Sequence, residues 1–269
     1  MSVSPRTSLS SELSAPAAAL GGADLERWHE HFAGRPPQDL LAWAFGHFAE
    51  RIAIVTAFQA EGMVILDMAV GLGVKPRVIT VDTGRLPQET HDVIDQVRRR
   101  YGLRVEILTP DAQAVEAMVH AQGSNLFYGS PEARHLCCRV RKLEPLKRAL
   151  ADLDAWITGV RRAQAPSRAG AREIEHDTTH GGLAKLNPLA AWSWEQIWAY
   201  IREHGVPYNT LYDQGFRSIG CAPCTRAVGP GENPRAGRWW WESAEEAKEC
   251  GLHLPVVDDS PPALEGALR

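Results

Sequence analysis

Residues 52–81 read IAIVTAFQAEGMVILDMAVGLGVKPRVITV, and this stretch decides the fold. Ile52-Ala53-Ile54-Val55-Thr56 is a short β-branched run of the kind that forms a buried strand. A loop holding Gln59, Glu61 and Gly62 follows, and residues 63–71 then form an apolar helix. Arg77-Val78-Ile79-Thr80-Val81 is a second strand. The alternation continues downstream, with an amphipathic helix over 86–101 opened by Pro87, a strand over 104–108, a helix over 112–121 and a strand over 155–159. Upstream, residues 24–32 have helical spacing, Pro36-Pro37 breaks it, and a second helix covers 38–48. Strands separated by helical segments predict an α/β fold with a doubly wound, mostly parallel sheet and helices on both faces.

Beyond Gly159 the pattern fades. Residues 161–182 read as a loop, 192–204 as a helix capped by Ser193 and stopped by Gly205, 207–238 as a loop and 242–249 as a short helix. The Ser/Ala/Pro/Gly-rich start reads as disordered and contains no apolar core of a secretory signal. The expected organisation is a disordered segment over 1–23, an α/β domain over 24–241, and a mobile C-terminal tail over 242–269.

The chain has 269 residues, enough for a full core, and no apolar run reaches the roughly 20 residues of a membrane span. A net charge of −4 gives no reason to expect a nucleic-acid binder. Arginine outnumbers lysine 24 to 5, which reads either as genome composition or as oxyanion binding by planar guanidinium forks. Five cysteines (Cys137, Cys138, Cys221, Cys224 and Cys250) are too few, and odd in number, for a disulfide framework. A reducing cytoplasm is their natural setting, where such clusters serve metal binding or catalysis.

Cys221-Ala-Pro-Cys224 by itself reads equally as a zinc half-site, a redox pair or half an iron–sulfur site. Adjacent Cys137-Cys138 suits zinc poorly, since zinc knuckles space their cysteines by two or more residues, but two neighbouring thiolates can reach two irons of one cubane. Together the four match the demand of a [4Fe–4S] cluster. The competing reading, buried apolar filler, sits badly with Arg134, His135, Arg139, Arg141 and Lys142 around the pair. Cys250 is left over, and nearby Glu245, Glu246 and Glu249 disfavour a thiolate there unless cations come from elsewhere. It reads as either a passive thiol or a nucleophile served by His253, Arg235, Arg238 or Lys142. Three turns at strand C-terminal ends point to a phosphate ligand: 56–62, Asp82-Thr83-Gly84-Arg85 and Gly159-Val160-Arg161-Arg162. Arg235 and Arg238 precede Trp239-Trp240-Trp241, which reads as a packed lid or as a clamp over substrate.

The pattern Cys137-Cys138-Arg-Val-Arg-Lys142, Cys221-Ala-Pro-Cys224 and Glu249-Cys250-Gly-Leu-His253 resembles the assimilatory adenylyl-sulfate (APS) reductases, thioredoxin-dependent iron–sulfur members of the phosphoadenylyl-sulfate (PAPS) reductase family. Val81-Asp-Thr-Gly-Arg-Leu-Pro87, Thr158-Gly-Val-Arg-Arg162 and Lys185-Leu-Asn-Pro-Leu189 extend the likeness. The resemblance implies an adenine-nucleotide α-hydrolase-like sheet. It implies a [4Fe–4S] cluster on Cys137, Cys138, Cys221 and Cys224, and Cys250 as the nucleophile. Lys142, Arg235, Arg238 and His253 would surround the phosphosulfate, with Gln59, Asp82, Thr83, Arg85, Gly159, Arg161 and Arg162 at the nucleotide. Substrate and reductant would be APS and thioredoxin, with sulfite and AMP as products in sulfate assimilation; the oligomeric state stays open. One departure stands out: Thr56-Ala-Phe-Gln-Ala-Glu-Gly62 replaces the Ser-Gly-rich phosphate loop of many relatives. Competing functions are a PAPS reductase, an ATP-dependent tRNA or cofactor thiolation enzyme, and a non-catalytic iron–sulfur sensor.

Overall fold

The β-branched runs form one six-stranded sheet in the computed structural model, which describes residues 21–242. In chain order the elements are α1 (Gly22–Phe32), α2 (Pro37–Phe48), β1 (Ile52–Val55), α3 (Ala60–Gly71), β2 (Arg77–Val81), α4 (Gln88–Tyr101), β3 (Val105–Leu108), α5 (Ala112–Gln122), α6 (Pro131–Cys138), α7 (Glu144–Leu150), β4 (Ala155–Ile157), β5 (Ile174–Asp177), β6 (Leu183–Leu186) and α8 (Trp194–His204). The strand order is β3-β2-β1-β4-β6-β5, and each neighbouring pair is parallel except β5 against β6. This is the doubly wound, mostly parallel sheet expected from residues 52–108. Cys250, His253 and the helix expected over 242–249 lie outside the described residues, apart from Glu242 itself.

Alternation along β1 builds both layers. Ile52 and Ile54 join a cluster with α2, α3, α4 and α8, while Ala53 packs on the other face with Leu146, Ala149 and Leu150 of α7. A strand buried on both faces must be apolar throughout, which explains its unbroken run. Helix α3 is covered as completely: Val64, Ile65 and Leu66 are all fully buried. The order reverses between β1, which leads to β2 on one side, and β4 on the other. At such a switch point the strand C-termini leave a crevice for ligand. Thr56 and Thr158 stand at its two lips, both buried.

Three segments differ from expectation. Residues 161–182 are not simply a loop, since they carry three 3₁₀ turns and the edge strand β5. Ile-Glu-His-Asp has no apolar run to betray a strand; it is held by the antiparallel ladder to β6 and by Lys185 donating to Glu175 at 2.9 Å. Leu-Ala-Lys-Leu of β6 is buried at every position, with the lysine stem inside and its charge on that carboxylate. Finally, α6 and α7 join through one π-helical turn, Arg139–Leu143, directly after the cysteine pair. Pro145 opens α7 without an amide to continue the α-helical ladder, and the wider turn takes up the mismatch. Helix α3 starts at Ala60, earlier than its apolar run suggested, whereas the Ser193–Gln196 capping box and left-handed Gly205 bound α8 as expected.

No helix among the described residues is long and apolar enough to cross a membrane. Ile54, buried at the centre of the sheet, sets a direct test of the core. Ile54→Ala should lower unfolding free energy by about 2–5 kcal/mol at unchanged urea m-value.

Candidate active site

The loop after β1 turns on two buried contacts. The Thr56 hydroxyl accepts from the Phe58 amide at 2.9 Å, and Phe58, fully buried, takes the left-handed φ of 54°. A Cβ on Gly62 would lie 2.0 Å from Thr56 Oγ1, so only glycine lets α3 start this close to the strand. The Ala60 amide donates to the Tyr212 hydroxyl at 3.0 Å. Two amides that a phosphate loop would offer to an anion, those of Phe58 and Ala60, are therefore engaged within the protein. Glu61 is buried at the same helix start, where the dipole favours a carboxylate.

Tertiary packing gathers the cations. A cleft of about 840 Å³ opens over the C-terminal ends of β1, β2 and β4. Gln59, Thr83, Lys142, Arg161, Arg235 and Arg238, all expected at substrate, line it. Gly159 lines a deeper recess that Gln59 and Lys142 share. Sequence reading missed Trp194, Arg168 and Arg217; the arginine excess was the only hint of the last two. Six basic side chains meet three carboxylates in this lining. Glu61 is matched by Arg161 at 2.8 Å, and Glu232 by Arg226 at 2.8 Å. The Arg226 contact holds the Glu232 carboxyl down at about 2. The remaining excess of positive charge suits a multiply charged anion.

The expected residues divide on close inspection. Arg161 donates to Glu61 at 2.9 Å and to the Trp192 carbonyl at 3.1 Å, so its charge is already partnered. Arg162 pairs with Glu173 and is not among the cleft residues. The Asp82 carboxylate accepts from the Gly84 amide at 2.8 Å and shapes the turn after β2. Arg85 donates to the Ser124 carbonyl at 2.6 Å and faces the cysteines instead of the cleft. Gln59 spends its carbonyl on the Ile219 amide at 2.9 Å. Arg238 is buried, with its ring-plane partner Trp239 at 4.6 Å. A Cβ on Gly220 would fall 2.4 Å from Arg238 Nη2, so glycine there makes room for the guanidinium.

The four paired cysteines come together from two elements. Cys137 and Cys138 end α6, while Cys221 and Cys224 flank a 3₁₀ turn. All four line one small cavity with Arg85, Arg134, Arg141 and Lys142. Cys221 is fastened by a 3.2 Å contact between its sulfur and the Thr83 hydroxyl, and the Ala222 amide donates to the Arg85 carbonyl at 2.8 Å. Burial, then the neighbouring Cys221 charge, push the Cys224 thiol up to about 12; burial also raises Cys137, against the pull of Arg141. Among the described residues, no three His, Cys, Asp or Glu side chains form a group that could hold a metal ion as they stand. The donor set fits an anionic occupant nonetheless: four thiols, four cations, and Arg141 Nε buried without a hydrogen-bond partner among the described residues. Thr83, Lys142 and Cys221 belong to both the cavity and the cleft.

Comparison with known proteins places this geometry. A family profile described as the phosphoadenosine phosphosulfate reductase domain matches residues 51–227. The chain is 50% identical to the adenosine 5'-phosphosulfate reductase of Allochromatium vinosum, over 80% of this chain and 85% of that one. It is 44% identical to the protein of the same name from Pseudomonas aeruginosa, over 86% of each. The crystal structure of PAPS reductase from Candida auris in complex with phosphate superposes with a TM-score of 0.66 at 30% identity, covering 79% of this chain and all of that one.

The raised Cys224 thiol makes a checkable prediction. In reduced, cofactor-free protein at pH 8, Cys224 stays almost wholly in its thiol form. Iodoacetamide should therefore spare it at pH 8, and its rate should rise about a hundredfold by pH 10, followed by peptide mass mapping.

Proposed function

The chain belongs to the phosphoadenosine phosphosulfate reductase domain family, and from that premise we propose that it reduces adenosine 5'-phosphosulfate to sulfite and AMP, with thioredoxin as the electron donor. One observation carries the reading: a cation-rich cleft at the sheet's switch point shares a wall, through Lys142, Thr83 and Cys221, with a cavity of four cysteines. The four-cysteine set, together with relatives named for APS, favours APS over its 3'-phosphorylated analogue. The cytoplasm, where five thiols stay reduced, is the proposed compartment.

In this mechanism the nucleotide lies in the cleft with its phosphosulfate toward Lys142, Arg235 and Arg238. Cys250, on the segment after Glu242, attacks the sulfate sulfur as thiolate. A sulfur–sulfur bond forms, the sulfur–oxygen bond to phosphate breaks, and AMP leaves as a stable anion that needs little protonation. Two anions must meet for this to happen, so the main demand on the protein is electrostatic. Lys142 and Arg238 meet it from fixed positions in the cleft wall, while His253 joins from the Cys250 segment. One thiolate of thioredoxin then attacks the Cys250 sulfur and expels sulfite; its second thiol resolves the mixed disulfide and returns Cys250 as a thiol. Both electrons come from the dithiol. A [4Fe–4S] cluster on Cys137, Cys138, Cys221 and Cys224 supplies, when bound, a fixed local field and scaffold behind Lys142.

The test has two parts. Anaerobically purified protein should be brown with four irons per chain; a colourless, zinc-loaded protein would refute the cluster. Incubation with APS and no thioredoxin should add one sulfonate to Cys250 and none to the Cys250→Ser variant, and an adduct persisting in that variant would sink the nucleophile. Turnover of PAPS in preference to APS would overturn the substrate. A further prediction concerns the glycine beneath Arg238: Gly220→Ala should displace the guanidinium and lower kcat/KM for APS at least about tenfold in folded protein, measured by sulfite release.

A further inference from the structure

Trp239 stands between the two cavities. It is buried against Cys137 and Cys224, and it also lines the cleft. Three guanidinium groups lie over its ring, Arg134 at 4.5 Å, Arg238 at 4.6 Å and, farther out, Arg235 at 5.9 Å. Arg134 belongs to the wall of the cysteine cavity and Arg238 to the wall of the cleft. The tryptophan holds a left-handed φ of 43°, which a residue with a bulky side chain adopts only when its surroundings enforce it.

Those surroundings are specific. The Trp239 amide donates to the Cys224 carbonyl at 3.2 Å, and the Glu242 amide donates to the Trp239 carbonyl at 2.9 Å, closing a turn. Across that turn Arg134 Nε donates to Glu242 Oε1 at 2.5 Å, with the two side chains 2% and 3% exposed. An ion pair buried to this degree gains little net stability, because desolvation offsets its attraction, and its best-attested use is to fix register. Here it fixes the last turn before the Cys250 segment to the helix that carries Cys137 and Cys138. We propose that Arg134 and Glu242 are positioning residues for sulfonyl transfer: their buried pair clamps Trp239, which sets where Arg238 stands in the cleft. This rests on Cys250 being the sulfonyl acceptor.

Magnitude makes the role measurable. Moving Arg238 off the charge that develops in the transition state costs about tenfold or beyond in rate. A pair that only braced the fold would leave that rate unchanged in a folded variant.

The experiment uses full-length protein with APS and no thioredoxin, timing the Cys250 sulfonate by intact mass. Glu242→Gln keeps the shape and removes the charge, while Arg134→Gln with Glu242→Gln removes both buried charges, so it folds even where a lone buried guanidinium does not. Both variants should form the adduct about tenfold more slowly at saturating APS, with AMP affinity within about twofold of wild type. A folded variant slowed less than threefold, or one slowed only through weaker AMP binding, overturns the proposal. In the wild type, the Trp239 and Glu242 amides should exchange hydrogen slowly, and rapid exchange of both overturns it whatever the variants do. A wild type that forms no Cys250 adduct removes the nucleophile itself and this role with it, whereas failure of the clamp alone leaves wild type labelled and the variants equally fast.

Discussion

The Ala222 amide donating to the Arg85 carbonyl, with the Cys221 sulfur against the Thr83 hydroxyl beside it, is the contact on which the rest of the site depends. It fastens a long irregular segment to the turn after β2. That segment has little regular structure of its own, only short 3₁₀ turns and one bridge between Thr225 and Arg238. Its backbone polar groups are satisfied by neighbours instead, as buried loops require. The Ile219 amide goes to Gln59, the Gly220 amide to Thr225, and the Pro223 carbonyl to the Tyr128 hydroxyl. The Gln59 and Tyr128 bonds tie the segment to two different parts of the fold, and the Thr225 bond braces it internally, so cleft and cysteine cavity are held as one unit.

Charge in this protein is distributed in the same economical way. Much of the arginine near the cleft is already spoken for inside the fold: Arg161 on Glu61, Arg162 on Glu173, Arg134 on Glu242, and Arg85 on the 124–125 turn. A buried guanidinium needs such partners, because an isolated charge out of water is costly. The cleft wall carries, beside Arg161, the basic side chains of Lys142, Arg168, Arg217, Arg235 and Arg238. The π-helical turn after Cys138 matters here, since it carries Arg141 and Lys142 out of the register of the cysteine pair and lets Lys142 reach both cavities.

The legible parts of the sequence are those governed by local periodicity. The runs at 52–56 and 77–81 became β1 and β2 because central parallel strands are apolar on both faces, and the run at 104–108 became the partly exposed edge strand β3, marked by β-branched Val105 and Ile107. Ser193 and Gly205 marked α8 because caps are chosen by the chemistry of a single turn. β5 stayed hidden because an edge strand that pairs its charges needs no apolar pattern, and β6 because its lysine breaks the run while its ammonium reaches Glu175. Trp239-Trp240-Trp241 could not be sorted by composition: Trp239 is buried between arginines while Trp240 is nearly half exposed.

The sequence by itself determined the parallel α/β architecture, the cysteine quartet with its odd fifth member, and the strand-end turns that face the crevice, since each rests on spacing within a short stretch of chain. Only the tertiary structure decided which arginines line the cleft and which face a carboxylate. Arg161 and Glu61 lie a hundred residues apart and Arg134 and Glu242 more than that. An ion pair leaves no trace in the local pattern of either partner, because what selects it is the low-dielectric space the folded chain closes around both.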